Sequence, residues 1–139
     1  MRVGGERPVV RVVADQRGCP TGAADLARVV VALCEAIKSG KCRFGTFHAA
    51  NAGAATWYDV ATAIFGELAA RNERVPQVVP ITTAEYGAKA ERPANSVLDC
   101  SRLKSSFDIT MRPWRPALEE CVNELIEQKR HSAESGAAT

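Results

Sequence analysis

No apolar run in the 139 residues approaches the ~20 needed to cross a bilayer as a helix. Residues 1–8 carry charge, but no apolar core with a small-residue cleavage site follows them. They read as an N-terminal extension and not as a secretory signal. Cysteine occurs five times, as Cys19, Cys34, Cys42, Cys100 and Cys121, and never as C-x-x-C. An odd, scattered set fits reduced thiols in a cytoplasm, not a disulfide framework or a structural zinc site. Histidine is scarce, with only His48 and His131, and no His, Cys and carboxylate cluster has metal-ligand spacing. Aromatics make up 6% of the chain and do not alternate with basic residues; 18 basic against 16 acidic residues leave a net charge of only +2. Nucleic-acid binding is therefore not expected. The one Gly-Gly pair, Gly4-Gly5, precedes the first predicted strand instead of following it. The glycine-rich turn of a dinucleotide-binding domain is thus missing, and so is any nicotinamide site of the usual kind.

What is there has the composition of a soluble globular domain, 46% hydrophobic and 24% charged. Its length suggests one unit, over residues 9–130. A β-branched run, Val9, Val10, Val12 and Val13, predicts a strand that Pro8 opens. After a loop at 15–21, Leu26, Val29, Val30, Leu33 and Ile37 recur at helical steps, predicting a helix over 23–38 with one buried stripe. Thr21 is its expected cap, and Ser39-Gly40 its stop. A short strand is expected at 46–50, with Phe47 and His48 on opposite faces. Thr56 and Asp59 form a capping-box pattern before an apolar face of Trp57, Val60, Ala61, Ile64, Phe65 and Leu68. An extended segment at 78–81, a capped turn at 82–87 and an extended segment at 96–99 follow, then a brief helix capped by Ser101. A final helix follows Pro113-Trp114. Trp57 and Trp114 are read as core anchors beside helix starts in preference to base-stacking platforms, Glu119-Glu120 as a solvated face or an interface contact, and residues 131–139 as a disordered tail. The fold class is mixed α/β, with three main helices and short strands.

Four segments together carry a family resemblance: Asp15-Gln16-Arg17-Gly18-Cys19-Pro20-Thr21 with Ala24-Asp25-Leu26-Ala27, Gly45-Thr46-Phe47-His48, Thr56-Trp57-Tyr58, and Arg92-Pro93-Ala94-Asn95-Ser96-Val97-Leu98-Asp99. In this order and spacing, from about Val9 to about Leu125, the chain resembles the C-terminal, substrate-binding half of the dTDP-4-dehydrorhamnose reductases. These are NADPH-dependent enzymes of the extended short-chain dehydrogenase superfamily. The resemblance implies a small substrate-binding domain whose N-terminal Rossmann half is absent from this sequence. It also implies NADPH as the cofactor of the complete enzyme and none bound by this chain alone. A dTDP-sugar is the implied substrate, in dTDP-rhamnose biosynthesis. The implied partner is the missing half or another chain, with self-association where neither covers the exposed face. Homologues that serve as regulatory subunits of methionine adenosyltransferase leave open a non-catalytic interaction module.

No catalytic residue is expected here. The resemblance implies a Tyr-x-x-x-Lys pair, but Tyr58 has Thr62 and Tyr86 has Ala90 four residues on. Binding is where the sequence speaks. The 15–21 loop joins a strand end to a helix start, where amide groups can meet an anion. Gln16 offers donors and an acceptor, Gly18 allows close backbone approach, and Thr21 offers a hydroxyl. Arg92 can bridge diphosphate oxygens bidentately, and Asn95 can bond a sugar or base. For these same residues a capped turn, or a surface pairing of Arg92 with Asp99 or Glu91, is the alternative.

Overall fold

A computed structural model describes residues 8–41 and 43–136, so Cys42 and most of the N-terminal extension lie outside the described residues. The chain is mixed α/β, in the order β1 (Val9–Val13), β2 (Arg17–Gly18), α1 (Ala23–Lys38), β3 (Ala55–Thr56), α2 (Trp57–Ala69), β4 (Gln77–Ile81), α3 (Thr83–Tyr86), α4 (Ser101–Phe107) and α5 (Trp114–Gly136). β1 and β4 pair in parallel, from Val9 opposite Gln77 to Val13 opposite Ile81. Pro80 lacks the amide a central strand would need, and a two-stranded ribbon tolerates it. α2 packs against this ribbon and against α5.

Local signals were obeyed. Thr56 caps α2 in a reciprocal box with Asp59, and Thr82 caps α3 with Glu85. Gly87 ends α3 at φ 64°, a left-handed backbone that glycine adopts without strain. Asp59 and Glu85 both sit below the usual carboxylate range, chiefly because each accepts the amide of its own cap residue.

Several expectations need correction. Thr21 does not cap α1: the N-cap is Gly22, whose amide donates to Asn51 Oδ1 at 2.8 Å. Asn51, 1% exposed, also donates through Nδ2 to Asp25 at 2.8 Å and to the Arg112 carbonyl at 3.0 Å. Asp25 is buried, accepts from Arg112 Nε at 2.9 Å, and meets Arg28. Arg112 reaches on to Glu120, so that residue belongs to an ionic network rather than a free solvated face. Segment 46–50 forms no ladder among the described residues, although Phe47 turns inward and His48 outward as alternation requires. The 96–99 segment likewise makes no strand beyond a single bridge at Asn95. Ser101 does not cap α4; its amide is instead accepted by Asp99 Oδ1 at 2.8 Å. α5 continues to Gly136, into the tail expected to be disordered. His131 Nδ1 and Ser132 Oγ each lie within hydrogen-bond distance of a carbonyl four residues back, which supports the extra turns.

The core is small. Val29, Leu103 and Met111 are buried together, with Leu33, Phe47, Ala49, Phe107 and Ile109 packed around them. Phe47 and Phe107 meet edge to face at 5.1 Å, and Arg102 lies over Phe47. The rest of the expected α1 stripe is not covered: Leu26, Val30 and Ile37 are exposed. Their one-sided periodicity is real, but no element among the described residues lies against it. Trp114 is a core anchor as expected, whereas Trp57 is not.

Candidate functional site

The loop after β1 is fixed at both ends. Asp15 accepts the amide and hydroxyl of Thr83, which holds its carboxyl below the ordinary range, the hydroxyl contributing most. Gln16 Nε2 donates to Thr83 Oγ1 at 3.0 Å. Arg17 pairs with Thr56 on one side through β2 and β3. On its other side its amide donates to the Ala94 carbonyl and its carbonyl accepts from Ser96 N, each at 2.8 Å. Gly18 allows this approach: a Cβ there would lie 3.0 Å from Ser96 Oγ, which itself donates to the Arg17 carbonyl. The two loops, 15–21 and 92–99 in the sequence, are therefore stitched backbone to backbone.

Between them and the start of α2 is a cleft of about 420 Å³, within the range usual for small-molecule sites. Gln16, Gly18 and Arg92 line it together. Thr21 and Asn95 do not, and their side chains are spent locally. Thr21 Oγ1 donates to the Cys19 carbonyl at 3.0 Å, and Asn95 Oδ1 accepts from Val97 N at 3.2 Å. Arg17, Trp57, Val60, Pro93 and Leu98 also line the cleft and were not singled out as ligand contacts. For Arg17 the missed signal is its place beside Gln16 in the same polar loop. For Trp57 no sequence signal separates a residue facing a cleft from one facing a core.

Charge sets this cleft apart. Among the described residues Arg17 and Arg92 are its only charged lining residues, and no carboxylate lines it. Neither arginine forms an ion pair among the described residues, and Asp99, a partner considered for Arg92, accepts from Ser101 instead. Arg17 lies within electrostatic reach of Asp59 without pairing to it, and two guanidiniums with no ion-pair partner beside a polar loop suit a diphosphate or similar anion. A second cleft, of about 340 Å³ between α2 and α5, has Asp59, Glu67 and Glu119 against the single Arg115 and suits an anion poorly. Among the described residues no three His, Cys, Asp or Glu side chains converge as a metal site, and no helix is long and apolar enough to cross a membrane.

The chain is similar to known proteins in sequence and fold. A dTDP-4-dehydrorhamnose reductase of Aggregatibacter actinomycetemcomitans is 40% identical over 122 residues, covering 86% of this chain and 42% of that protein. A solved dTDP-4-dehydrorhamnose reductase from Clostridium acetobutylicum is similar at a TM-score of 0.71 and 38% identity, over 86% of this chain and 39% of that one. Another, from Bacillus anthracis in complex with NADP, gives 0.69 and 34%, over 83% and 38%. The chain thus spans less than half the length of the relatives it matches. The model of the RmlD substrate binding domain matches residues 1–127, and by that match the chain belongs to the RmlD substrate-binding-domain family.

Proposed function

We propose that this chain is the substrate-binding part of a dTDP-4-dehydrorhamnose reductase, and that the cleft beside Arg17 and Arg92 holds the diphosphate of a dTDP-sugar. The observation that carries this is the cleft's charge: two free guanidiniums, no carboxylate, and a polar loop in a family named for substrate binding. In the complete enzyme NADPH would supply the hydride that reduces dTDP-4-dehydro-L-rhamnose to dTDP-L-rhamnose. This chain's part is to fix the remote end of the substrate so that the sugar carbonyl is held for reaction. Its partner is the nucleotide-binding part that makes up the rest of the relatives' length, and this is the occupant of the exposed α1 face. A purely scaffolding module would have no use for two arginines without ion-pair partners in one cleft. For the same reason the regulatory alternative is less well supported.

A hybrid tests it. Joined in frame to the nucleotide-binding part of the Aggregatibacter reductase, the chain should restore NADPH-dependent reduction of the 4-dehydro sugar, while the chain alone should not consume NADPH. Arg92→Ala in the hybrid removes a charge-assisted hydrogen bond and should lower kcat/KM by roughly ten- to a hundred-fold. The melting temperature should stay within about two degrees, as for most surface changes. Thr21→Val should have a smaller effect, because its hydroxyl is bonded to the Cys19 carbonyl. A hybrid that folds and holds NADPH but never turns over would sink the proposal.

A further inference from the structure

The two tryptophans each open a helix, yet they have opposite environments. Trp114, first residue of α5, is 6% exposed, whereas Trp57, first residue of α2, is 63% exposed. An indole is among the largest apolar side chains, and leaving it in water forfeits the burial that ordinarily stabilises it. Trp57 lines the cleft that Arg17 and Arg92 make positive. Val60, one helical turn on, shares its face and lines the same cleft, as do Pro93 and Leu98. The cleft lining therefore combines an exposed indole and an aliphatic border with two arginines, and Arg17 is paired through the backbone with Thr56, the neighbour of Trp57.

We propose that Trp57 is the platform on which the pyrimidine ring of the bound nucleotide stacks, so that this residue, with the two arginines, selects a nucleoside diphosphate over a bare diphosphate. The proposal rests on the reading of the cleft as a nucleotide-sugar site. A nucleotide offers both features the wall asks for, a π face and a dianionic group. An aliphatic ligand would leave the guanidiniums unmatched, and inorganic pyrophosphate would leave the indole in water. Stacking on an aromatic side chain tolerates any base, so the platform recognises a planar ring without fixing which one.

The test uses this chain, with dTDP and inorganic pyrophosphate as probes, followed by calorimetry and by tryptophan emission. Wild type should bind dTDP roughly 5- to 100-fold more tightly than pyrophosphate, with quenching of emission on dTDP alone. Trp57→Leu should abolish both the preference and the quenching while leaving pyrophosphate affinity unchanged. Trp57→Phe should retain most of the preference, and the circular dichroism of both variants should match wild type. If Trp57→Leu keeps the preference for dTDP, or wild type has none, the stacking role is wrong while the anion site stands. If Arg92→Ala binds both probes as wild type does, or wild type binds neither, the cleft is not the nucleotide site and both readings fall.

Discussion

Asp25 is the carboxylate on which the most contacts converge. It is buried, with Arg112, Asn51 and Arg28 around it, and the Arg112 hydrogen bond is the main reason its carboxyl sits below the usual range. A carboxyl whose folded value lies below its unfolded value stabilises fully above the unfolded value. That stability is lost as pH falls through the folded value. Here the loss begins near pH 4, the ordinary value of an aspartate, and deepens below it. Removing one partner of a buried pair leaves the other charge uncompensated, at roughly 3–5 kcal/mol in a fully buried case. Arg112 keeps 34% of its side chain in water. The expected cost of Asp25→Asn is therefore at the lower end, about 3 kcal/mol at neutral pH. Urea unfolding from pH 7 down to pH 3 checks this: the gap between wild type and variant should close in the acid range. A gap that stays constant with pH would mean that the charge on Asp25 contributes nothing.

The start of α1 shows what a single element can and cannot disclose. Periodicity placed this helix at its observed bounds, the box at Thr56 was legible because its partner Asp59 lies three residues on, and at Thr82 the capped turn was legible. The holder of the α1 N-terminus was not legible, because Asn51 lies 29 residues beyond Gly22 and becomes its neighbour only in the fold. The same limit explains Trp57, since an apolar position at helical spacing must be covered but the pattern does not say by what. It explains segment 46–50 too, where alternation of Phe47 and His48 is present but a strand needs a partner to pair with. Of the residues proposed as ligand contacts, Gln16, Gly18 and Arg92 converge, and Thr21 and Asn95 are turned to nearby backbone. Asx and hydroxyl turns use the same residue types as ligand sites, so composition could not separate them. The difference between Asn51 and Thr21 is measurable. Asn51→Ala strands the Gly22 amide and removes a donor from Asp25, at about 2–3 kcal/mol for buried groups left unpaired. Thr21→Ala loses an exposed bond to the Cys19 carbonyl and a long one, 3.4 Å, from the Asn51 amide, and should cost about 1 kcal/mol by the same measure. Chemical denaturation of the two variants ranks them, and equal losses would show that the α1 start is not held by Asn51.

At the scale of the whole molecule, the chain leaves apolar side chains uncovered. Several gather on or just after α1: Leu26 at 43%, Val30 at 54%, Val31 at 58%, Ile37 at 53% and Phe44 at 86% exposed. Scattered apolar residues on a surface need no explanation, but several on one helix face mark a contact surface or an aggregation hazard. The relatives are more than twice as long as the matched region, and under the proposed function their nucleotide-binding part covers this face. Without it, burial of the face against a second copy is the remaining way to remove it from water. The purified chain should therefore self-associate at micromolar concentration, with a sedimentation or light-scattering mass that rises with concentration. Val30→Glu combined with Val31→Lys should return it to a monomer without unfolding it, since both positions are exposed. Co-expression with the nucleotide-binding part of a relative should compete with self-association and raise the melting temperature by mass action. A wild-type chain that stays monomeric at every concentration and melts high would mean that the α1 face is stable in water. The argument for a covering partner would then fail.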